Sequence, residues 1–118
     1  MRIPTVIAGT ALLILLASVA AHAHALLDRA DPRVGSVVTE APRQVLLSFT
    51  QDIEAAFSAV EVTDASGQRV DEGTPRVEGN VMSVPLRSLS PGIYRVKWRV
   101  LSVDTHATEG AFSFEVRR

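Results

Sequence analysis

The sequence predicts an all-β domain, a Greek-key β-sandwich of immunoglobulin-like size with roughly seven strands. Two observations carry this prediction. Short runs alternate apolar and polar residues, and turn residues separate one run from the next. No segment has a sustained apolar stripe at helical spacing. About seven such runs in a domain of about 100 residues are typical of a Greek-key sandwich.

The first runs lie in the middle of the chain. QVLLSF places Val45, Leu47 and Phe49 on one face. FSAVEVTD ends in DASG, whose aspartate and glycine suit a tight turn. PRVEGNVMSVPL indicates a hairpin that turns at 78–80. DIEAAF can form one helical turn, but it is too short to stand alone.

The clearest strand follows Ser90-Pro91-Gly92. Its alternation puts four large side chains on the core face, and basic residues occupy the other face. AFSFEV then closes the chain with the same alternation. The predicted core residues of these two runs are Tyr94, Val96, Trp98, Val100, Phe112, Phe114 and Val116, and the basic residues are Arg95, Lys97 and Arg99.

Residues 1–23 are predicted to be a cleaved signal peptide. Arg2 provides a positive start, VIAGTALLILLASVA an apolar run, and Ala21-His22-Ala23 the small residues that signal peptidase requires. Cleavage after Ala23 leaves a domain of residues 24–118 that begins with histidine and is expected to be soluble. The alternative is an uncleaved signal anchor, since the apolar run is nearly long enough to span a bilayer.

Composition narrows the class of function. The chain has no cysteine, which excludes a disulfide, a thiolate metal site and a lipoprotein anchor. Only Arg2 among the charged residues lies in the leader, so Lys+Arg falls from 12 to 11 against 13 Asp+Glu, a formal charge of −2. This balance argues against nucleic acid and gives no reason to expect binding to an anionic membrane.

The chemistry-bearing residues are two histidines and an aspartate. WRVLSVDTH contains Asp104 and His106 at i, i+2, and the other histidine of the mature chain is its first residue, His24. If the stretch stays extended, the two side chains leave one face with Cα atoms about 6.5–7 Å apart. Alone, this spacing is a weak signal, because acids and histidines are common in loops.

The N-terminal histidine strengthens the metal hypothesis. His24 can offer its α-amine and its imidazole to one ion, and the amine has an ordinary pKa of about 7.7–8.0. His106 adds a third nitrogen and Asp104 an oxygen. Cu(II) favours such a tetragonal set, whereas zinc prefers a tetrahedral arrangement. The sequence therefore predicts a Cu(II) site at His24, Asp104 and His106, which forms only after export.

These motifs resemble the CopC family of periplasmic copper-binding proteins. The resemblance rests on HALLDRADPRVGS, VLLSF and YRVKWRVLSVDTHATEGAFSFEV, and it covers essentially the whole mature domain. It implies a seven-stranded Greek-key barrel or sandwich and a Cu(II) site at His24, Asp104 and His106. It also implies a non-enzymatic carrier or buffer in periplasmic copper resistance or uptake. An inner-membrane copper transporter of the CopD type would be its partner, and the protein itself is expected to be a monomer.

The sequence departs from the family pattern at two points. Some members have a second, Cu(I) site in a methionine-rich loop, whereas Met82 is the sole methionine here after the leader. We therefore expect one Cu(II) per chain and no Cu(I) methionine site, with Met82 in the core or hairpin. Some members also place a glutamate near the metal where this chain has Gln51, which adds no charge.

A ligating histidine usually donates its second N–H to a nearby polar group. We expect such a second contact from one residue around the ligands, without distinguishing among Ser102, Thr105, Thr108 and Glu109.

Two other functions are open from the sequence. One is a copper oxidase or oxygenase with an N-terminal histidine brace, which would need an open copper position and exposed aromatic residues. The second is a metal-free interaction module that uses the basic stripe on the outer face of the clearest strand.

Overall fold

The structure, a computed structural model, describes residues 25–118. The predicted leader and His24 lie outside the described residues. A single 3-10 turn at Ala55–Phe57 stands where the sequence predicted one helical turn. The strands are β1 Leu27–Asp31, β2 Val37–Val38, β3 Gln44–Phe49, β4 Ala59–Thr63, β5 Arg76–Glu78, β6 Val81–Pro85, β7 Gly92–Leu101 and β8 Ala107–Val116.

Two four-stranded sheets build the domain. Their strand orders are β1-β3-β6-β5 and β2-β8-β7-β4. Neighbouring strands run antiparallel except for the parallel pair β2 and β8. The β5–β6 and β7–β8 connections stay within one sheet, and the other connections between consecutive strands cross to the opposite sheet. The predicted all-β, two-sheet architecture is confirmed.

The described residues contain eight strands, one more than the expected seven. Two strands precede QVLLSF, in a segment where the sequence shows little alternation. Val37–Val38 has only two residues, which pair with the end of β8. Leu27–Asp31 carries three charged residues and a bulge, and mainly Ala30 is buried. Neither segment has the period-two pattern by which a strand is recognised.

The core lies between the two sheets, and the predicted core faces are confirmed. Alternate residues of β3 and of β7 and β8 are buried, and Met82 in β6 is fully buried. Phe49 and Trp98 meet edge to face across the sheets, with ring centroids 5.1 Å apart at 70°. This contact joins the sheets near the ends of β3 and β7.

The predicted turns are also confirmed. A carboxylate oxygen of Asp64 accepts the backbone N–H groups of Ser66 and Gln68, each at 2.9 Å. β5 and β6 are joined through Gly79-Asn80, with Glu78 paired to Val81. Gly79 has a φ of 62°, which glycine adopts at little cost.

The longest pairing in the domain is the β7–β8 hairpin. Ten residue pairs run from Gly92 opposite Val116 to Leu101 opposite Ala107. So long a ladder fixes the register of the short turn beyond it, and this turn carries Asp104 and His106. Within residues 25–118, the structure contains no helix of the length and apolarity that a membrane crossing requires.

Candidate metal centre

The β7–β8 turn is a tight hairpin loop. Beyond the Leu101–Ala107 pair, the Ser102 N–H donates to the His106 carbonyl oxygen at 2.9 Å, and the Thr105 N–H donates to the Ser102 carbonyl oxygen at 2.9 Å. Thr105 has a φ of 75°, the left-handed conformation that ends such a three-residue loop. The stretch is therefore not extended, and the premise for the 6.5–7 Å spacing was wrong.

The loop nevertheless brings the predicted carboxylate and imidazole together. An Asp104 oxygen, Oδ1, lies 3.4 Å from His106 Nδ1. Two donors that each bind one ion at about 2.0–2.2 Å lie about 3 Å apart when they occupy adjacent positions. The observed separation is close to this value, so a small side-chain adjustment lets both atoms bind one ion. The Asp104 and His106 side chains are 43% and 48% exposed, which leaves the pair open to solvent.

Ser102 forms hydrogen bonds with both residues of this pair. It is the one buried polar residue among the described residues, with 0% exposure. Its hydroxyl donates to Asp104 Oδ1 and accepts the His106 N–H at 3.2 Å. Ser102, one of the four candidates, thus contacts the carboxylate of Asp104 and the backbone of His106. The predicted contact to the second ring N–H of a ligating histidine stays a prediction.

The hydrogen bond from Ser102 favours the charged form of Asp104. It is the main cause that lowers the pKa of the Asp104 carboxyl below its ordinary value, and His106 lowers this pKa further. Partial burial acts in the opposite direction without reversing the result. The lowered pKa favours the carboxylate of Asp104, the form in which this side chain binds a metal.

The start of the described chain is fixed beside this turn. Ala25 is fully buried, and the Thr108 hydroxyl donates to its carbonyl oxygen at 2.6 Å. The next residue, Leu26, exchanges two hydrogen bonds with Thr50: its N–H donates to Thr50 Oγ1, and its carbonyl accepts the Thr50 N–H, both at 2.9 Å. The backbone that follows His24 in the sequence thus lies against β8, close to the turn.

The segment after β3 completes the surroundings of the turn. Ile53 forms a β-bridge with Ser102, and the Val103 N–H donates to the Asp52 carbonyl at 3.1 Å. Gln51 is therefore located between Thr50, which binds the N-terminal segment, and Asp52, which binds the turn. Sequence reasoning had singled out Gln51 only through the family resemblance, because a loop glutamine carries no periodic signal.

The third predicted ligand, His24, lies outside the described residues. Among residues 25–118, no three His, Cys, Asp or Glu side chains form a group that could hold a metal ion. The Asp104–His106 pair needs further donors to make a complete site.

The other residues singled out from the sequence belong to the scaffold. Tyr94 and Trp98 are 5% and 9% exposed, so neither offers a surface platform for a substrate. The basic residues of β7 do face outward, and Lys97 and Arg99 are opposite Glu61 and Glu109 on the flanking strands. Charges of both signs alternate there, as is typical of a solvated sheet face.

The fold and the turn together define a small two-sheet β domain with nitrogen and oxygen donors at one end. The family model for the CopC domain matches residues 27–117. The chain is 36% identical over 104 residues to Protein YobA of Escherichia coli strain K12. This alignment covers 85% of this chain and 82% of that protein. It is 34% identical over 111 residues to Copper resistance protein C of Xanthomonas campestris pv. juglandis, covering 86% and 87%.

A solved structure agrees with these sequence matches. The crystal structure of CopC from Methylosinus trichosporium OB3b superposes with a TM-score of 0.74 and 31% sequence identity, covering 79% of this chain and 93% of that one. The chain therefore belongs to the CopC family, a family of copper-binding resistance proteins.

Proposed function

We propose that the mature chain is a periplasmic Cu(II) carrier or buffer that acts in copper resistance or uptake and catalyses no reaction. The observation that carries this proposal is the Asp104–His106 pair, with 3.4 Å between oxygen and nitrogen, beside the anchored Ala25. The Ala25 carbonyl is bound by Thr108, two residues after His106, which supports a site that includes the residue preceding Ala25.

The ligand set that we propose has three nitrogens and one oxygen. His24 supplies the α-amine and its imidazole, His106 a second imidazole, and Asp104 a carboxylate oxygen. Such a set suits the tetragonal geometry of Cu(II) and contains no soft sulfur ligand that would favour Cu(I). Gln51, near the turn, adds a neutral polar group and leaves the charge of the set unchanged.

The exposure of the pair supports a role in carrying copper. Both side chains remain about half exposed, so an ion can enter and leave without opening the core. Met82, the sole methionine after the leader, is fully buried in the core, which supports a site without a methionine ligand. One Cu(II) per chain is therefore the expected load.

Export and the ligand set are coupled in this proposal. Signal peptidase cleavage after Ala23 creates the α-amine ligand, so the precursor cannot assemble the site before it reaches the periplasm. The carrier acts as a monomer, and its partner is an inner-membrane copper transporter of the CopD type. Both assignments are what the resemblance to the CopC family implies, and membership of that family is the observation behind them.

A Cu(II) titration of the purified form that begins at His24 tests the function. The proposal expects one equivalent of tightly bound copper and a tetragonal, nitrogen-rich EPR spectrum. His106→Ala removes a nitrogen ligand and Asp104→Asn removes the anionic oxygen, so both weaken binding and alter the spectrum. Glu61→Gln, on the outer face of β4, is the control and binds like the native form. Absence of stoichiometric copper in the native form would overturn the function.

A further inference from the structure

We propose that Thr108 is a positioning residue that fixes the backbone at Ala25 and thereby strengthens Cu(II) binding by the mature N-terminus and the Asp104–His106 pair. This inference rests on the proposed copper function and assigns a role to a residue outside its ligand set. The observation behind it is the hydrogen bond from the Thr108 hydroxyl to the Ala25 carbonyl, at 2.6 Å, across 83 positions of sequence.

The location of Thr108 links the two halves of the site. It lies in β8, two residues after His106, on the half-buried face that continues through Gly110 to the core residue Phe112. Its acceptor belongs to the peptide unit that immediately follows that of His24. One hydroxyl therefore ties the N-terminal backbone to the strand that begins just after the proposed imidazole ligand.

Ala25 and Leu26 are held from both sheets. The reciprocal bonds between Leu26 and Thr50 extend the β1–β3 pairing of the first sheet. The bond from Thr108 reaches the same segment from the second sheet. Ala25 itself is fully buried as part of the core cluster, so the backbone has little freedom to move away from β8.

This attachment matters for copper because a chain end is normally mobile. If it stayed mobile, the amine and imidazole of His24 would lose conformational entropy each time an ion bound. With the Ala25 carbonyl held, the fold supplies part of that order in advance. Thr108 should therefore raise affinity without touching the ion, as groups outside the ligand set commonly do.

The test combines Thr108→Val with a one-residue extension before His24. Valine has nearly the same shape and strand preference as threonine but has no hydroxyl to donate. Thr108→Ser keeps the hydroxyl, and Thr63→Val in β4 makes the same change on another strand. Cu(II) affinity and EPR spectra are measured for all forms, and hydrogen exchange of the Leu26 amide is measured without copper.

The expected result is a loss of affinity of about 10- to 100-fold for Thr108→Val, with a changed EPR spectrum. The Leu26 amide exchanges faster in this variant, whereas Thr108→Ser and Thr63→Val behave like the native form. In the extended protein, where the amine has moved, Thr108→Val has little further effect.

Native affinity in Thr108→Val, or an equal loss in the native and extended forms, would overturn the role of Thr108 while leaving the copper function intact. If the native form binds no copper, the proposed function fails by itself. In that case the hydrogen exchange of the Leu26 amide still tests Thr108. An unchanged exchange rate in Thr108→Val would show that the Thr108 hydroxyl does not hold the Ala25 segment.

Discussion

The Asp104 carboxylate lies 3.4 Å from His106 Nδ1 in a hairpin turn whose geometry is set by backbone hydrogen bonds on both sides. The buried Ser102 hydroxyl donates to the Asp104 carboxylate and accepts the His106 backbone N–H. The arrangement of the pair therefore depends on the end of the β7–β8 ladder more than on the flexible side chains themselves.

Ser102→Ala should loosen this turn. The change removes the donor to Asp104 and leaves the His106 N–H without its side-chain acceptor, so we expect a stability loss of about 1–2 kcal/mol in a urea titration. The Asp104 pKa should rise toward its ordinary value, which NMR titration of the carboxyl carbon would detect. Ser83→Ala in β6 is the control, and an equal loss there would refute a specific role of Ser102.

Thr105 carries the backbone strain of the turn. A β-branched residue at a φ of 75° is disfavoured, and glycine adopts this conformation freely. Thr105→Gly should therefore stabilise the domain by about 1 kcal/mol. This corresponds to a rise in melting temperature of about 4–8 °C.

Thr105→Val separates strain from hydrogen bonding. Valine keeps the β-branch but loses the hydroxyl that donates to the Asp104 carbonyl, so it should not raise the melting temperature. A similar increase in both Thr105 variants would show that the φ angle is not the cause.

Gly110 makes room for Trp98. A Cβ atom at Gly110 would lie 2.6 Å from Trp98 Cζ2, so Gly110→Ala must displace the indole from its edge contact with Phe49. We expect a stability loss of about 1–3 kcal/mol by thermal or urea unfolding. In a Trp98→Phe background the clash is absent, and the same alanine should then cost much less. An undiminished loss in that background would contradict the steric explanation.

Asp71 should make stability depend on pH in the acid range. Burial alone would raise its pKa, but hydrogen bonds from Arg69 and the Val62 N–H, together with the charge of Arg69, lower it below its ordinary value of 3.8. The pKa of Asp71 is lower in the folded than in the unfolded state. The contribution of its carboxylate to the free energy of unfolding is therefore fully present above pH 3.8 and is lost as the pH falls through the folded-state pKa.

Asp71→Asn should remove this part of the acid dependence, measured as urea unfolding between pH 2 and 6. The exposed Arg76–Glu78 pair provides the control, because solvent screens such pairs and Glu78→Gln should change little. An identical acid profile in the native protein and Asp71→Asn would contradict the account.

Much of the fold could be predicted because every second residue of β3, of β7 from Tyr94 and of β8 from Phe112 is apolar and buried. The turns at Asp64–Gly67 and Gly79-Asn80 were also readable, since their residue types suit the required backbone angles. β1 and β2 were not, because their backbone pairing is dictated by neighbouring strands and not by their own pattern.

The candidate site was predictable to a different extent. The residue types of Asp104 and His106 and their spacing suggested a metal site, but an extended stretch was the wrong basis for their proximity. The roles of Ser102 and Thr108 depend on a turn and on a contact between the two ends of the chain. Neither contact leaves a periodic signal in the sequence, so the sequence alone could not distinguish Ser102 and Thr108 from their polar neighbours.

The most direct measurement is a Cu(II) titration, followed by EPR, of two purified proteins. One begins at His24, and the other carries a single additional residue before it. The account predicts one tightly bound Cu(II) with a nitrogen-rich tetragonal spectrum in the first protein and loss of most of that affinity in the second. Equal affinity and equal spectra would show that the α-amine is not a ligand and would contradict a copper site built on the mature N-terminus.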